Sequence, residues 1–181
     1  MSRPSWLLKP IEEYNELPLE QIALQLSRLN RYAGAVEWSV LQHSLLVWDL
    51  VKNQSATAQA WALLHDAAEC WIGDALLPAK QVAGLAWSNL EDTYNGHIQR
   101  LAGIKPDQHE LMIVADADKV SVIQEMAWCG DYSSESPLLK FQIGQKQLMQ
   151  FWLALLDGLS GLVCFAQSVS EANARHEVPH A

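Results

Sequence analysis

A chain of 181 residues with a hydrophobic fraction of 50% and a charged fraction of 18% has the balance of a globular protein, and its length fits one domain better than two. A formal net charge of −9 and a pI near 5.0 argue against broad binding to a nucleic-acid polymer or an anionic membrane, because the surface as a whole repels polyanions. No run reaches the ~18 apolar residues of a membrane span, "MSRPSWLLKPIEEY" lacks the apolar segment of a secretory signal, and Cys70, Cys129 and Cys164 are odd in number and widely spaced, so a cytoplasmic protein with reduced thiols is expected.

Glycine and proline fall mainly between segments of helical periodicity, and alternating β-branched runs are absent, which predicts an all-α, single-domain bundle. A first helix is expected from about Pro18 to Asn30, with Leu19, Ile22, Ala23, Leu26 and Leu29 on one stripe, broken by "RYAG". Ser39 suits the N-cap of a second helix carrying Val40, His43, Val47 and Leu50 on one face. A third helix begins near Ser55 or Thr57 and runs through "LLHDAAE" to Gly73.

Beyond Pro78, "VAGLAWSNLEDTYNGHIQRLAG" predicts a fourth helix with Gly96 as its weak point. Pro106 and Asp107 open a fifth, which extends to about Cys129. "GDYSSESP" reads as a loop, a last helix spans about Leu138 to Leu156, and the polar tail after Ser168 is expected to fray.

Two of these helices each aim an imidazole inward. His43 lies between Val40 and Val47, and His65 follows Ala58, Trp61 and Ala62 at spacings of seven, four and three. A lone inward histidine is more often a core residue with one backbone hydrogen bond than a ligand. Asp66 changes that balance, because a carboxylate beside a buried imidazole is costly to desolvate unless a cation compensates it, and Glu69 follows one turn later. One divalent transition metal (Mn, Co, Zn, Fe or Ni) suits such a mixed nitrogen and oxygen set. A further ligand is expected from the fifth helix, where Asp116 and Asp118 stand about 200° apart around the axis. Both have apolar neighbours, so periodicity does not choose between them.

A histidine on one helix, a His–Asp pair at the end of the next and an aspartate on a later helix resemble the HD-domain metal-dependent phosphohydrolases. The stretches "RYAG", "VLQHSLLV", "LLHDAAECWIGDALLPAK" and "ADKVSVIQE" resemble more specifically the small bacterial and phage-type members that hydrolyse 2′-deoxynucleotides. The likeness runs from about Leu26 to Trp128, within one HD domain over 1–181 whose tail begins near 169. That subgroup places a glutamate seven residues after its aspartate, which matches Asp118 with Glu125 and selects Asp118 over Asp116.

The resemblance implies His43, His65, Asp66 and Asp118 as metal ligands, a metal-activated water as nucleophile, Glu69 to orient and deprotonate that water, and Asp74 to position the reacting phosphate. Arg31 and Lys80 would bind phosphate oxygens, and Tyr32 would pack on the sugar and disfavour ribose. Outside that context Glu69 and Asp74 read as solvated charges, Arg31 and Lys80 as surface cations and Tyr32 as a core ring.

Two departures from the family pattern stand out: Ala35 where a histidine often follows the glycine of "RYAG", and Leu76 where a proline is usual in "GDALLPAK". Trp38 and Trp71 are further candidates for the pocket wall, while His97, His109, His176 and His180 are expected at the surface.

The predicted activity is hydrolysis of a 2′-deoxynucleotide, either a 5′-monophosphate or a triphosphate. One alternative is an HD enzyme for another phosphate ester, an alarmone or a cyclic nucleotide; another is a non-catalytic, metal-stabilised scaffold that binds a nucleotide. The expected partners are a small nucleotide and, given eight tryptophans in a short chain, further copies in a homo-oligomer.

Overall fold

The computed structural model describes residues 8–131 and 140–176, and among them it is all-helical, with one isolated bridge between Asn30 and Ser39 as its only sheet-type pairing. After a 3-10 turn at Ile11–Glu13 come α1 (Leu19–Leu26), α2 (Val40–Val51), α3 (Ala56–Leu64), α4 (Glu69–Ile72), α5 (Leu77–Ala83), α6 (Leu85–Ala102), α7 (Gln108–Asp131) and α8 (Gln145–His176). Among the described residues no helix is long and apolar enough to cross a membrane.

The centre of the bundle is α2. Its Ser39 hydroxyl accepts from the Gln42 backbone N–H while the Gln42 side chain accepts from the Ser39 N–H, so the helix start satisfies two orphan donors reciprocally. From Val40 to Val47 every residue is buried, because α3, α7 and α8 pack around it. A helix enclosed on all sides has no solvent face, and the polar Gln42, His43 and Ser44 within it must find partners. Gln42 donates to the Phe141 carbonyl at 2.9 Å and Ser44 to that of Leu41 at 3.0 Å. Trp152 of α8 is fully buried and donates from Nε1 to the Leu63 carbonyl, which fixes α8 against α3.

Several boundaries differ from the sequence expectation. The first helix ends at Leu26 rather than Asn30, and residues up to 29 continue only as turns. The expected third helix stops at Leu64. From there to Trp71 the chain tightens into i→i+3 bonds (Ala67 N to Leu64 O, Glu69 N to Asp66 O, Cys70 N to Ala67 O) before Gly73 closes α4 at φ 81.

Gly84, with φ 54, divides the predicted fourth helix into α5 and α6, and Gly96 does not interrupt α6. The last helix starts at Gln145, after Gly144. It continues to His176 where a frayed tail was expected, since "EANAR" is itself helix-favouring. "GDYSSESP" lies outside the described residues except for its first two positions, which end α7; His180 and the side chains of Cys129, Cys164 and His176 lie outside them as well.

Candidate metal centre

The Arg31–Gly34 segment is held open by an unusual backbone. Two hydrogen bonds, Arg31 N to Trp38 O and Val40 N to Leu29 O (both 2.9 Å), close its ends into a hairpin-like loop. At its tip Tyr32, Ala33 and Gly34 adopt φ values of 57°, 55° and 77°. For the two residues with a Cβ this left-handed turn costs roughly 1–2 kcal/mol each, so the surroundings must hold it. Its effect is to aim Arg31 and Tyr32 back at the bundle.

His43, wholly buried on α2, and His65, which caps α3, face each other with ring centroids 5.3 Å apart. His65 Nδ1 lies 2.9 Å from the Ala62 carbonyl, which can only accept, so Nδ1 carries a proton and Nε2 is left toward the site. His43 Nδ1 lies 2.7 Å from Glu125 Oε1. Both Nε2 atoms are buried with no hydrogen-bond partner. Around them sit carboxylate oxygens: Asp66 Oδ2 and Asp118 Oδ1 at 3.3 and 3.1 Å from His43 Nε2, off the direction of a hydrogen bond, and Asp66 Oδ1 at 3.4 Å from His65 Nε2.

Ligand atoms of His43, His65 and Asp66 all lie within 4.8 Å of one another, while Asp118 stands outside that group and approaches it at His43, with Oδ1 3.1 Å from Nε2. Two buried imidazole nitrogens without a hydrogen bond, facing two carboxylates, form a donor set that could hold a divalent transition ion. Asp116 points the other way, exposed and paired with Lys119 at 2.9 Å.

The electrostatics follow from this crowding. Burial works against charge on His43, but its contacts with Asp118 and Glu125 outweigh it and raise the imidazole to about 9. The same contacts, against an opposing burial effect, hold Asp118 well below the usual carboxylate range and Glu125 at about 2. Burial first, then the charges of Asp66 and Asp74, push Glu69 up to about 9, and its Oε2 has no partner. The tightened turn accounts for the effect of the Asp66 charge on Glu69, because at three residues per turn positions i and i+3 fall on one side.

A cavity of about 690 Å³ opens beside this cluster, bordered by Arg31, Tyr32, Asp66, Glu69, Asp74, Lys80 and Asp118, with Leu76, Leu77, Val122, Ile123 and Met126 on its apolar side. A second lobe of about 400 Å³ shares Asp66, Glu69, Lys80 and Asp118 and adds His65, Glu91 and Asn95. Lys80 reaches the site from α5 but is tied to Glu91 at 2.8 Å. Arg31 bridges Glu125 at 3.1 Å and Asp66 at 3.4 Å, with its Cζ 5.5 Å from the Tyr32 ring centroid.

All nine predicted site residues thus border one cluster and its cavities, His43 from beneath through its contacts to Asp66 and Asp118. The other candidates sit elsewhere. Trp38 is a core residue against Trp128, and Trp71 donates to the Lys9 carbonyl and packs near Tyr94, so neither ring forms the cavity wall. His97 is half-buried beside Arg100 rather than exposed, His109 is exposed, and Ala35 points to solvent. Leu76 holds φ −59 and ψ 145, a conformation that proline could also adopt.

Ser121, Glu91 and Asn95 are not among the residues expected at the site, and Glu125 enters the sequence pattern only as the glutamate that marks Asp118. Glu125 and Ser121 carry a readable signal, since positions 114, 118, 121 and 125 recur at helical spacing on the α7 face turned to α2.

No family model matches the chain. Among curated proteins it is similar to an uncharacterized protein of Rhodobacter capsulatus, 31% identical over 97 residues, which covers 49% of this chain and 50% of the relative. The chain therefore spans about half the length of the curated relative it matches, and that similarity carries no activity with it.

Proposed function

We propose that the chain is a metal-dependent phosphohydrolase of the HD type acting on 2′-deoxynucleotides. The observation that supports this most directly is the pair of buried Nε2 atoms of His43 and His65, close to the carboxylates of Asp66 and Asp118 but without a hydrogen bond, beside a cavity bordered by Arg31 and Lys80. His43, His65, Asp66 and Asp118 would hold one divalent transition ion. When bound, that ion would supply Lewis-acid charge to a phosphate oxygen, lower the pKa of water, and offset the Asp66 and Asp74 charges that add to burial in raising the Glu69 carboxyl.

The chain's own residues do the rest. Glu69, once ionised, accepts the proton of the attacking water, and Asp74 at the cavity edge orients the phosphate and that water. Arg31 and Lys80 would exchange their carboxylate partners for the non-bridging oxygens, and the Tyr32 ring would pack on the sugar and disfavour ribose.

A monophosphate fits better than a triphosphate. Among the described residues bordering the larger cavity, each cation is already paired: Arg31 with Asp66 and Glu125, Lys80 with Glu91, Lys119 with Asp116. A polyphosphate tail would enter with little free positive charge to meet it. The homo-oligomer is likewise a proposal; it would have to cover exposed apolar side chains such as Leu77, Val82, Leu85 and Ile123.

The decisive experiment incubates the protein with deoxynucleoside and ribonucleoside mono- and triphosphates in the presence of Mn, Co, Zn or Mg, and reads orthophosphate and polyphosphate separately. Orthophosphate from deoxynucleoside monophosphates is expected, and Glu69→Ala should abolish it while leaving metal uptake intact. Hydrolysis restricted to other phosphate esters, or metal uptake with no turnover of any of them, would overturn the reading in favour of its two alternatives.

A further inference from the structure

The most heavily committed side chain near the cluster touches neither the cavity nor any proposed ligand oxygen. Glu125 is fully buried on α7, where an ionised carboxylate is costly unless every lone pair is used. Three donors from two other parts of the chain meet it. His43 Nδ1 lies 2.7 Å from Oε1; the Tyr32 hydroxyl donates to Oε2 at 2.6 Å and Arg31 Nε donates to the same oxygen at 3.1 Å.

Ser121 adds a constraint on the histidine. Its hydroxyl proton is used on the Asp118 carbonyl at 2.7 Å, so its oxygen, 3.2 Å from His43 Nδ1, stands there as an acceptor. Both neighbours of Nδ1 therefore accept, so Nδ1 keeps its proton when the ring is neutral and Nε2 is the nitrogen that loses one, facing Asp66 and Asp118.

We propose that Glu125 is a positioning residue with two linked tasks: it presents the Nε2 face of His43 to the metal cluster, and it holds the left-handed Arg31–Gly34 turn over the cavity. The backbone supplies the reason for the second task. Tyr32 and Ala33 at positive φ have an unfavourable local conformation, and the Tyr32 hydroxyl and Arg31 Nε reach across to one carboxylate on α7 that anchors it. One oxygen thus serves the metal side and the other the phosphate side, so loosening either is felt at both. This inference rests on the metal-centre reading above.

Glu125→Gln separates these tasks because an amide cannot accept on both ends. If its oxygen keeps Arg31 and Tyr32, its NH2 faces His43 Nδ1 and drives the histidine proton to Nε2; if it turns over, the Arg31–Tyr32 anchor is lost. Mn(II) titration of wild type, Glu125→Gln and Tyr32→Phe is the test, with circular dichroism to confirm folding. Glu125→Gln should weaken Mn(II) binding about tenfold or more, and Tyr32→Phe, which removes one donor far from the ion, by a few-fold.

Wild-type affinity in both variants would overturn the proposal. Should Glu125→Gln fail to fold, the wild-type protein still decides: the imidazole 15N–1H spectrum of the metal-free form should show a slowly exchanging proton on His43 Nδ1, and a bare Nδ1 would overturn it. A wild type that takes up no Mn(II) defeats the metal reading itself, while this spectrum continues to report on Glu125 alone.

Discussion

His43 Nε2 and Asp118 Oδ1 lie 3.1 Å apart although they belong to α2 and α7, and Asp116, two residues before Asp118, faces solvent in a pair with Lys119. One helical face decides between two otherwise similar aspartates. Asp118→Asn should therefore lower transition-metal affinity by about tenfold or more, because it removes a charged donor from the cluster. Asp116→Asn should leave it unchanged within error, since an exposed ion pair contributes little. Parallel titrations with Mn(II) or Co(II) would show it, and equal losses in the two variants would remove Asp118 from the ligand set.

Metal uptake should also release a proton. With its imidazole raised to about 9, His43 is charged at neutral pH in the metal-free protein, and a ligand nitrogen must be bare. Apparent affinity should rise about tenfold per pH unit from pH 7 and level off near 9, where His43 is already neutral. Calorimetry in two buffers of different ionisation enthalpy counts the protons directly; a pH-independent affinity would mean that His43 is not displaced from its proton.

The all-helical fold was legible, and some helix boundaries with it, where a boundary carries its own local signal. Ser39 with Gln42 at the start of α2 and Gly73 at the end of α4 act within a few residues, so local chemistry sufficed. The His65–Asp66 pair stood out for another reason, since a carboxylate beside an inward imidazole violates ordinary core composition, whereas periodicity left Asp116 and Asp118 equal and only the resemblance to the HD-domain hydrolases chose between them.

What stayed hidden depends on contacts distant in sequence. Glu125 serves in the sequence only as a marker for Asp118, and its contacts become visible only when Tyr32 and Arg31, 93 and 94 residues away, meet it. The tightened His65–Ala68 turn was also invisible, because "LLHDAAE" suits a continuous helix and only tertiary packing selects i→i+3 bonding.

The left-handed turn beside the site should be sensitive to a single methyl group. Gly34 has φ 77 and nothing within 4 Å of where a Cβ would stand, so Gly34→Ala meets no clash and pays only in backbone conformation. The expected cost is about 1 kcal/mol, seen as a fall in melting temperature of about 2–4 °C for a domain of this size. Ala33→Gly, which relieves a positive φ of 55 in the same turn, should be near neutral because the glycine also loosens the unfolded chain. A Gly34→Ala melting curve superimposable on wild type would mean that the turn is free to change shape.

Glu69 sets a pH dependence of stability in the metal-free protein. Burial, followed by the charges of Asp66 and Asp74, raises its carboxyl from 4.5 to about 9. Between those values the native state holds a proton that the unfolded chain has released, so unfolding loses a proton and stability falls as pH rises through that window. Below 4.5 both states are protonated and the contribution is fully present.

Glu125 and Asp118 are shifted the other way, so their contribution is already complete above the ordinary carboxylate range and is lost only on acidification. The difference between wild type and Glu69→Gln isolates the Glu69 effect, because the amide mimics the protonated acid and cannot ionise. Melting temperatures of the two metal-free proteins at pH 5, 6, 7 and 8 should diverge, with wild type losing ground at each step. Added metal should narrow the gap by offsetting the same carboxylate charges, and parallel curves in its absence would show that Glu69 is ionised in the native protein at neutral pH.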